Sequence, residues 1–98
     1  MDVYELIGKL VVSARAAYRM DDGMRKLGYA NNPYADFFGN IADALYSLLG
    51  EDTSEFTVSA TYRTLVNPSL PDTRCAEILC HEYEKNIANA YIDHRMVV

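Results

Sequence analysis

The final third of the chain carries apolar residues at every third or fourth position, the spacing that lines one face of a long α-helix. Its charged residues, such as Arg74, Glu77 and Glu84, fall on the opposite side. A helix with this pattern must bury its apolar face against other elements, so the sequence predicts a helix over 70–94 that covers a core. The apolar positions are Ala76, Leu79, Cys80, Tyr83, Ile87, Ala90, Tyr91 and His94.

Two earlier segments have the same amphipathic pattern and are bounded by residues that begin or end helices. The first covers 2–27 and is followed by Gly28, which tolerates the left-handed backbone of a helix C-terminus. The second covers 33–49, where Asn32 can cap the free backbone amides and Pro33 fits the first turn. Both segments are therefore predicted to pack against the final helix.

The segment over 53–66 fits two kinds of secondary structure. Asp52 and Glu55 have the spacing of a capping box, which favours a helix. Within 56–66, however, apolar and polar residues alternate and threonines are frequent, which is typical of a strand. No second strand is evident to pair with it, and a lone strand leaves its backbone groups without partners. We therefore predict one all-α domain over 1–98, a bundle of four amphipathic helices, with a strand over 56–66 as the alternative.

The composition is that of a globular protein with an acidic surface. Of its 98 residues, 50% are hydrophobic and 23% charged, which is too few charges for a disordered chain. A net charge of −5 argues against direct binding to nucleic acid. The first residues lack the positive flank of a signal peptide, and no apolar run approaches the roughly 20 residues of a membrane span. We expect a cytoplasmic protein that contacts neither membrane nor nucleic acid.

No motif in the sequence specifies a reaction or a metal site. His81 is followed by an acid, as in a zinc-protease motif, but position 85 is Lys where that motif needs its second His. The predicted final helix carries the soft metal ligands, and these point in different directions, so one metal ion cannot collect them. Nucleophilic catalysis needs a Ser, Thr or Cys beside a base and a third orienting group, and with both His on one predicted helix and no Gly-x-Ser-x-Gly turn the sequence gives no sign of such a set. We expect no catalytic residue, no metal and no cofactor. The ligands in question are Cys75, Cys80, His81 and His94.

One surface pattern stands out, and it is acidic. Between Leu27 and Tyr62 there is no Lys or Arg, while acids and small polar residues follow the outer face of the second predicted helix. Tyr46 lies one turn beyond Asp43, and an exposed tyrosine beside acids is a combination that interfaces favour. A merely solvated face explains the same pattern. The residues of this predicted binding surface are Asp36, Asn40, Asp43, Tyr46, Glu51, Asp52 and Glu55.

These observations favour a non-catalytic protein-binding module, a small acidic helical inhibitor or adaptor. Its acidic surface would occupy a basic surface of a protein partner, such as one that otherwise holds nucleic-acid phosphates. Its size and charge suit an inhibitor encoded by a phage or another mobile element.

The alternative function is an oligomeric protein that binds or sequesters a small nucleotide-like anion. Basic and tyrosine side chains near the end of the first predicted helix supply its candidate residues. Val12, Ala16 and Ile92 lie off the predicted inner faces, which indicates a self-association face, although scattered exposed apolar residues are normal in monomers. The candidate ligand-binding residues are Arg15, Tyr18, Arg19 and Tyr29.

Overall fold

The computed structural model describes the backbone of residues 2–50 and 55–97, and the side chains of residues 2–50 and 60–88. The described backbone forms four helices and no strand, so the predicted all-α bundle is confirmed and the strand alternative over 56–66 is wrong. None of the described helices is both long and apolar enough to cross a bilayer. The helices are α1 (Val3–Lys26), α2 (Pro33–Leu48), α3 (Glu55–Leu65) and α4 (Asp72–Val97).

Capping interactions fix the turn between α1 and α2. Gly28 has a φ of +94°, and the amides of Gly28 and Tyr29 donate hydrogen bonds back to the last turn of α1. This is a Schellman motif, in which glycine tolerates the left-handed backbone. Asn32 then begins α2 by accepting a hydrogen bond from the amide of Tyr34 at 3.1 Å. The side-chain amide of Asn32 also donates to Asp21 at 2.8 Å, which ties the start of α2 to α1.

The buried core draws on all four helices. On α1 the buried residues Ile7, Val11 and Ala14 are four and three positions apart, so they share one face of the helix. Burying a Leu or Ile side chain stabilises a fold by about 1.5–3 kcal/mol, so these contacts dominate the packing energy. The members of the core are Ile7, Val11, Ala14, Ala42, Leu45, Leu49, Leu65, Cys75 and Leu79.

A buried arginine joins α1 to the segment between α3 and α4. Arg15 is 6% exposed, and its Nε lies 2.7 Å from Oδ1 of Asp72 at the start of α4. The Arg15 guanidinium donates hydrogen bonds to the backbone oxygens of Leu65 (3.1 Å), Asn67 (3.2 Å) and Leu70 (2.5 Å). It therefore satisfies carbonyls left free at and beyond the end of α3, and Asp72 balances its charge.

The last turns of α4 extend past the ends of α1 and α2. Tyr83 packs edge-to-face on Tyr4 at the start of α1, and Asn86 donates to the carbonyl of Leu49 at the end of α2 (2.9 Å). Beyond this level the helix continues, and the molecule measures 56 × 25 × 24 Å. Ile87 is therefore 50% exposed, and its predicted place on the inner face is wrong. The side chains of Ala90, Tyr91 and His94 lie outside the described residues.

Candidate interaction surface

Three of the predicted binding residues share the solvent-facing side of α2. Asp36, Asn40 and Asp43 are four and three positions apart, and all three are exposed, as is Ser47 one turn further on. We call these four residues the acidic face. Asp36 lies in the first turn of α2, where a carboxylate interacts favourably with the helix dipole. Among the described side chains, no cation forms an ion pair with Asp36 or Asp43.

Several acids elsewhere on the described surface differ from Asp36 and Asp43 because each forms an ion pair with a Lys or Arg, which offsets its charge locally. Helix α2 contains neither Lys nor Arg, so the negative potential of its acidic face is not offset from within the helix. The paired acids are Asp21 with Arg25 (2.9 Å), Asp22 with Lys26 (3.0 Å), Asp72 with Arg15 (2.7 Å) and Glu77 with Arg74 (3.0 Å).

Tyr46, by contrast, does not belong to this surface. It is half-buried and packs against the core, so the expectation of an exposed tyrosine beside Asp43 is wrong. The reason is its register: Tyr46 follows Ala42 by four positions and precedes Leu49 by three, and both of these residues are buried. Of the remaining predicted members, Glu51 and Asp52 and the side chain of Glu55 lie outside the described residues.

Phe37 is an exposed aromatic residue at the edge of the acidic face. The sequence pattern puts it beside the apolar stripe, yet its side chain is 51% exposed. The ring packs edge-to-face on Tyr34, with centroids 6.0 Å apart. The sequence did contain a signal for this exposure. Phe37 follows Asp36 by one residue, and each residue turns an α-helix by about 100°, so Phe37 lies at the boundary between the polar side and the apolar stripe.

A cavity of about 220 Å³ lies between α1 and the end of α3. It is lined by three of the four candidate ligand-binding residues, Arg15, Tyr18 and Arg19. The fourth, Tyr29, is exposed beyond the end of α1 and is not part of the lining. The donors of Arg15 are directed to backbone carbonyls, and Nη1 of Arg19 lies 3.8 Å from Asp72. Asp22 also lines the cavity. These carboxylates offset the positive charge that an anion would need.

Neither cysteine has the surroundings of a nucleophile. Cys75 is fully buried, and burial raises the pKa of its thiol although Arg15 acts in the opposite direction. Burial, together with the negative charge of Glu84, also raises the pKa of Cys80. Both thiols are therefore protonated and poorly reactive at neutral pH. Among the described residues, no three His, Cys, Asp or Glu side chains form a group that could hold a metal ion.

Comparisons with known proteins supply no function for the chain. It matches no protein-family model, no curated protein and no solved structure. Its function must therefore be inferred from the arrangement of its own residues.

Proposed function

We propose that this chain is a non-catalytic protein-binding module, an inhibitor or adaptor that occupies a basic surface of a partner with the acidic face of α2. One observation carries the proposal: Asp36 and Asp43 are exposed on the same side of a capped helix, with no described cation paired to either. Side chains that are already held in position before binding lose less conformational entropy when the complex forms, so association costs less free energy.

The arrangement suits Lys and Arg side chains on the partner. Asp36 and Asp43 are seven positions apart, which corresponds to about 10.5 Å along a helix. Each carboxylate can accept charge-assisted hydrogen bonds, and Asn40 between them can both donate and accept. A partner surface that otherwise holds nucleic-acid phosphates presents cations of this kind.

Phe37 supplies the apolar contact that charges alone do not provide. Exposed charges mainly raise the rate of association, whereas aromatic residues that become buried in the interface slow dissociation. Phe37 lies next to Asp36 and is half-exposed, so a partner that pairs with the carboxylate can also cover the ring. In this proposal Phe37, and not Tyr46, is the aromatic residue that the partner covers.

The experiment compares two double variants with the same change in charge. Asp36→Lys with Asp43→Lys removes the acidic face, and Glu77→Lys with Glu84→Lys makes the same change seven positions apart on the exposed side of α4. Each replacement adds two charges, so both variants move from a net charge of −5 to about −1. Each protein is immobilised and used to capture partners from lysate of its native cell.

The α2 variant should lose a partner that the wild type and the α4 variant both retain. With the captured partner purified, association should slow for the α2 variant and weaken for the wild type as salt is added, because the Debye length falls from about 10 Å at 0.1 M to about 3 Å at 1 M. Phe37→Ala should instead raise the dissociation rate by about tenfold, or about 1.4 kcal/mol. Equal capture by both double variants would mean that the acidic face is only solvated.

The second candidate is an oligomeric binder of a nucleotide-like anion, and it rests on the cavity that Arg15, Tyr18 and Arg19 line, where an anion would have to displace Asp72 from Arg19. Thermal unfolding in the presence of a nucleotide panel tests it. A ligand at 100 times its dissociation constant adds about 2.7 kcal/mol of stability, and Arg19→Ala should abolish that gain. A gain that persists in Arg19→Ala would contradict binding in this cavity.

A further inference from the structure

The exposed side of α2 presents a similar arrangement of side chains twice, with one difference between the two. We call the arrangements the Asp36 group and the Asp43 group. They are separated by seven positions, which is nearly two helical turns, so they project in nearly the same direction. All of their members are exposed. The Asp36 group consists of Asp36, Phe37 and Asn40, and the Asp43 group consists of Asp43, Ala44 and Ser47.

Each group combines a carboxylate with a short polar side chain one turn later. Asn40 follows Asp36 by four positions, and Ser47 follows Asp43 by four, which brings the Cβ atoms of each pair to about 5–6 Å from one another. No Lys or Arg in the described part of the chain forms an ion pair with either carboxylate. Both groups can therefore accept hydrogen bonds from a cationic side chain of a partner.

The ring of Phe37 distinguishes the Asp36 group from the Asp43 group. Phe37 lies three positions before Asn40, so the ring and the amide are neighbours on the helix surface. Tyr34 packs edge-to-face against the ring, with centroids 6.0 Å apart, which restrains the orientation of the ring. About half of the Phe37 side chain nevertheless remains in solvent (51% exposed). At the corresponding position of the Asp43 group, Ala44 offers no ring.

A carboxylate, an amide and an aromatic ring together suit arginine better than lysine. The planar guanidinium can form two parallel hydrogen bonds with the carboxylate of Asp36, and it has further donors for the side-chain carbonyl of Asn40. The same plane can stack on the ring of Phe37, and a guanidinium is more weakly hydrated than an ammonium group, so it leaves water at a lower cost. Lysine is a compact, strongly hydrated point charge, so it gains less from the ring.

We infer that the side chain bound by the Asp36 group is an arginine of the partner, whereas the Asp43 group accepts either lysine or arginine. The inference rests on the function proposed for the acidic face and adds the chemistry of the partner. The partner surface then carries an arginine and, about 10.5 Å from it along α2, a second cation of either kind.

Oligo-arginine and oligo-lysine peptides of equal length test the preference, because they carry the same charge. Fluorescence anisotropy gives a dissociation constant for each peptide, and the ratio of the lysine value to the arginine value measures the preference. Phe37→Leu keeps a large apolar side chain without a ring, so it should lower the ratio by about two- to fivefold, the contribution of an exposed cation–π contact. Ala44→Phe should raise the ratio by a similar factor, because it gives the Asp43 group the ring that it lacks.

The two charge-reversed double variants separate this inference from the proposed function. Asp36→Lys with Asp43→Lys should bind both peptides more weakly than Glu77→Lys with Glu84→Lys, which has the same net charge. If that difference is found but Phe37→Leu leaves the ratio unchanged, the inference is overturned and the acidic face still binds cations. Equal binding by the two double variants would overturn the proposed function and the inference together. Circular dichroism checks that each variant folds.

Discussion

The Nε of Arg15 lies 2.7 Å from Oδ1 of Asp72, so the middle of α1 is held against the first turn of α4. Arg15 is buried, and its Nη1 and Nη2 atoms donate to backbone carbonyls, whereas Nε makes the ion pair with Asp72 and no hydrogen bond. Asp72 serves a second purpose, since an acid in the first turn of a helix interacts favourably with the helix dipole.

Replacing Arg15 by Ala should lower the free energy of unfolding by about 3 kcal/mol, because it leaves three carbonyls and a partly buried carboxylate without their partner. Arg19→Ala is the matched control. Arg19 is mostly exposed and 3.8 Å from the same carboxylate, so its loss should cost less than about 0.5 kcal/mol. Urea unfolding followed by circular dichroism measures both, and similar losses for the two variants would mean that burial of Arg15 carries no special stabilisation.

Asn32→Ala should destabilise the protein by about 1–2 kcal/mol, since it removes the cap of α2 and the hydrogen bond to Asp21 together. The neighbouring Asn31→Ala should be nearly neutral, because Asn31 is exposed. Thermal unfolding of the two variants, side by side, gives the comparison. Equal melting temperatures would show that the cap contributes little.

Leu45→Ala should cost about 2–5 kcal/mol through the cavity it leaves, because Leu45 is fully buried. Ile87→Ala should cost less than about 1 kcal/mol, since half of the Ile87 side chain is in solvent. His81→Ala, on the exposed side of α4, serves as the reference and should change stability by less than about 0.5 kcal/mol. If denaturant unfolding gives Ile87→Ala a loss as large as that of Leu45→Ala, a further contact must bury Ile87.

Both cysteines should be alkylated more slowly than a free thiol at pH 8. The raised pKa of Cys75 and of Cys80 leaves less thiolate at this pH, so their rates should climb only at more alkaline pH. Cys75 should be the slower of the two, because it is completely buried. Iodoacetamide labelling followed by mass spectrometry, with and without denaturant, measures the rates. Native-state labelling faster than that of glutathione would point to an activated thiol.

The parts of the fold that could be predicted from sequence depend on local chemistry. Asn32 and Pro33 begin a helix through their own side chains, and Gly28 ends one through its backbone, so no distant residue is needed to locate these boundaries. Leu45 could be assigned to the core because it lies at the centre of an apolar stripe. The exposed carboxylates of Asp36 and Asp43 follow from the same periodicity.

What could not be predicted depends on where other elements end. The burial of Arg15 results from carbonyls that are 50 to 55 positions away, and periodicity on α1 contains no information about them. Ile87 continues the apolar stripe of α4 without interruption, yet α2 ends beside Asn86 and covers nothing further. Exposure of Phe37 likewise depends on how α2 is rotated against its neighbours.

The turn between α1 and α2 has a consequence for the order of folding. Asn32 and Asp21 are only 11 positions apart, whereas Arg15 bonds to Asn67 across 52. Closing the longer loop costs about 1.4 kcal/mol more in chain entropy. The α1–α2 hairpin can therefore assemble early from contacts that are near in sequence. On this basis we expect the arginine contact to close late, when α4 docks onto a hairpin that is already formed.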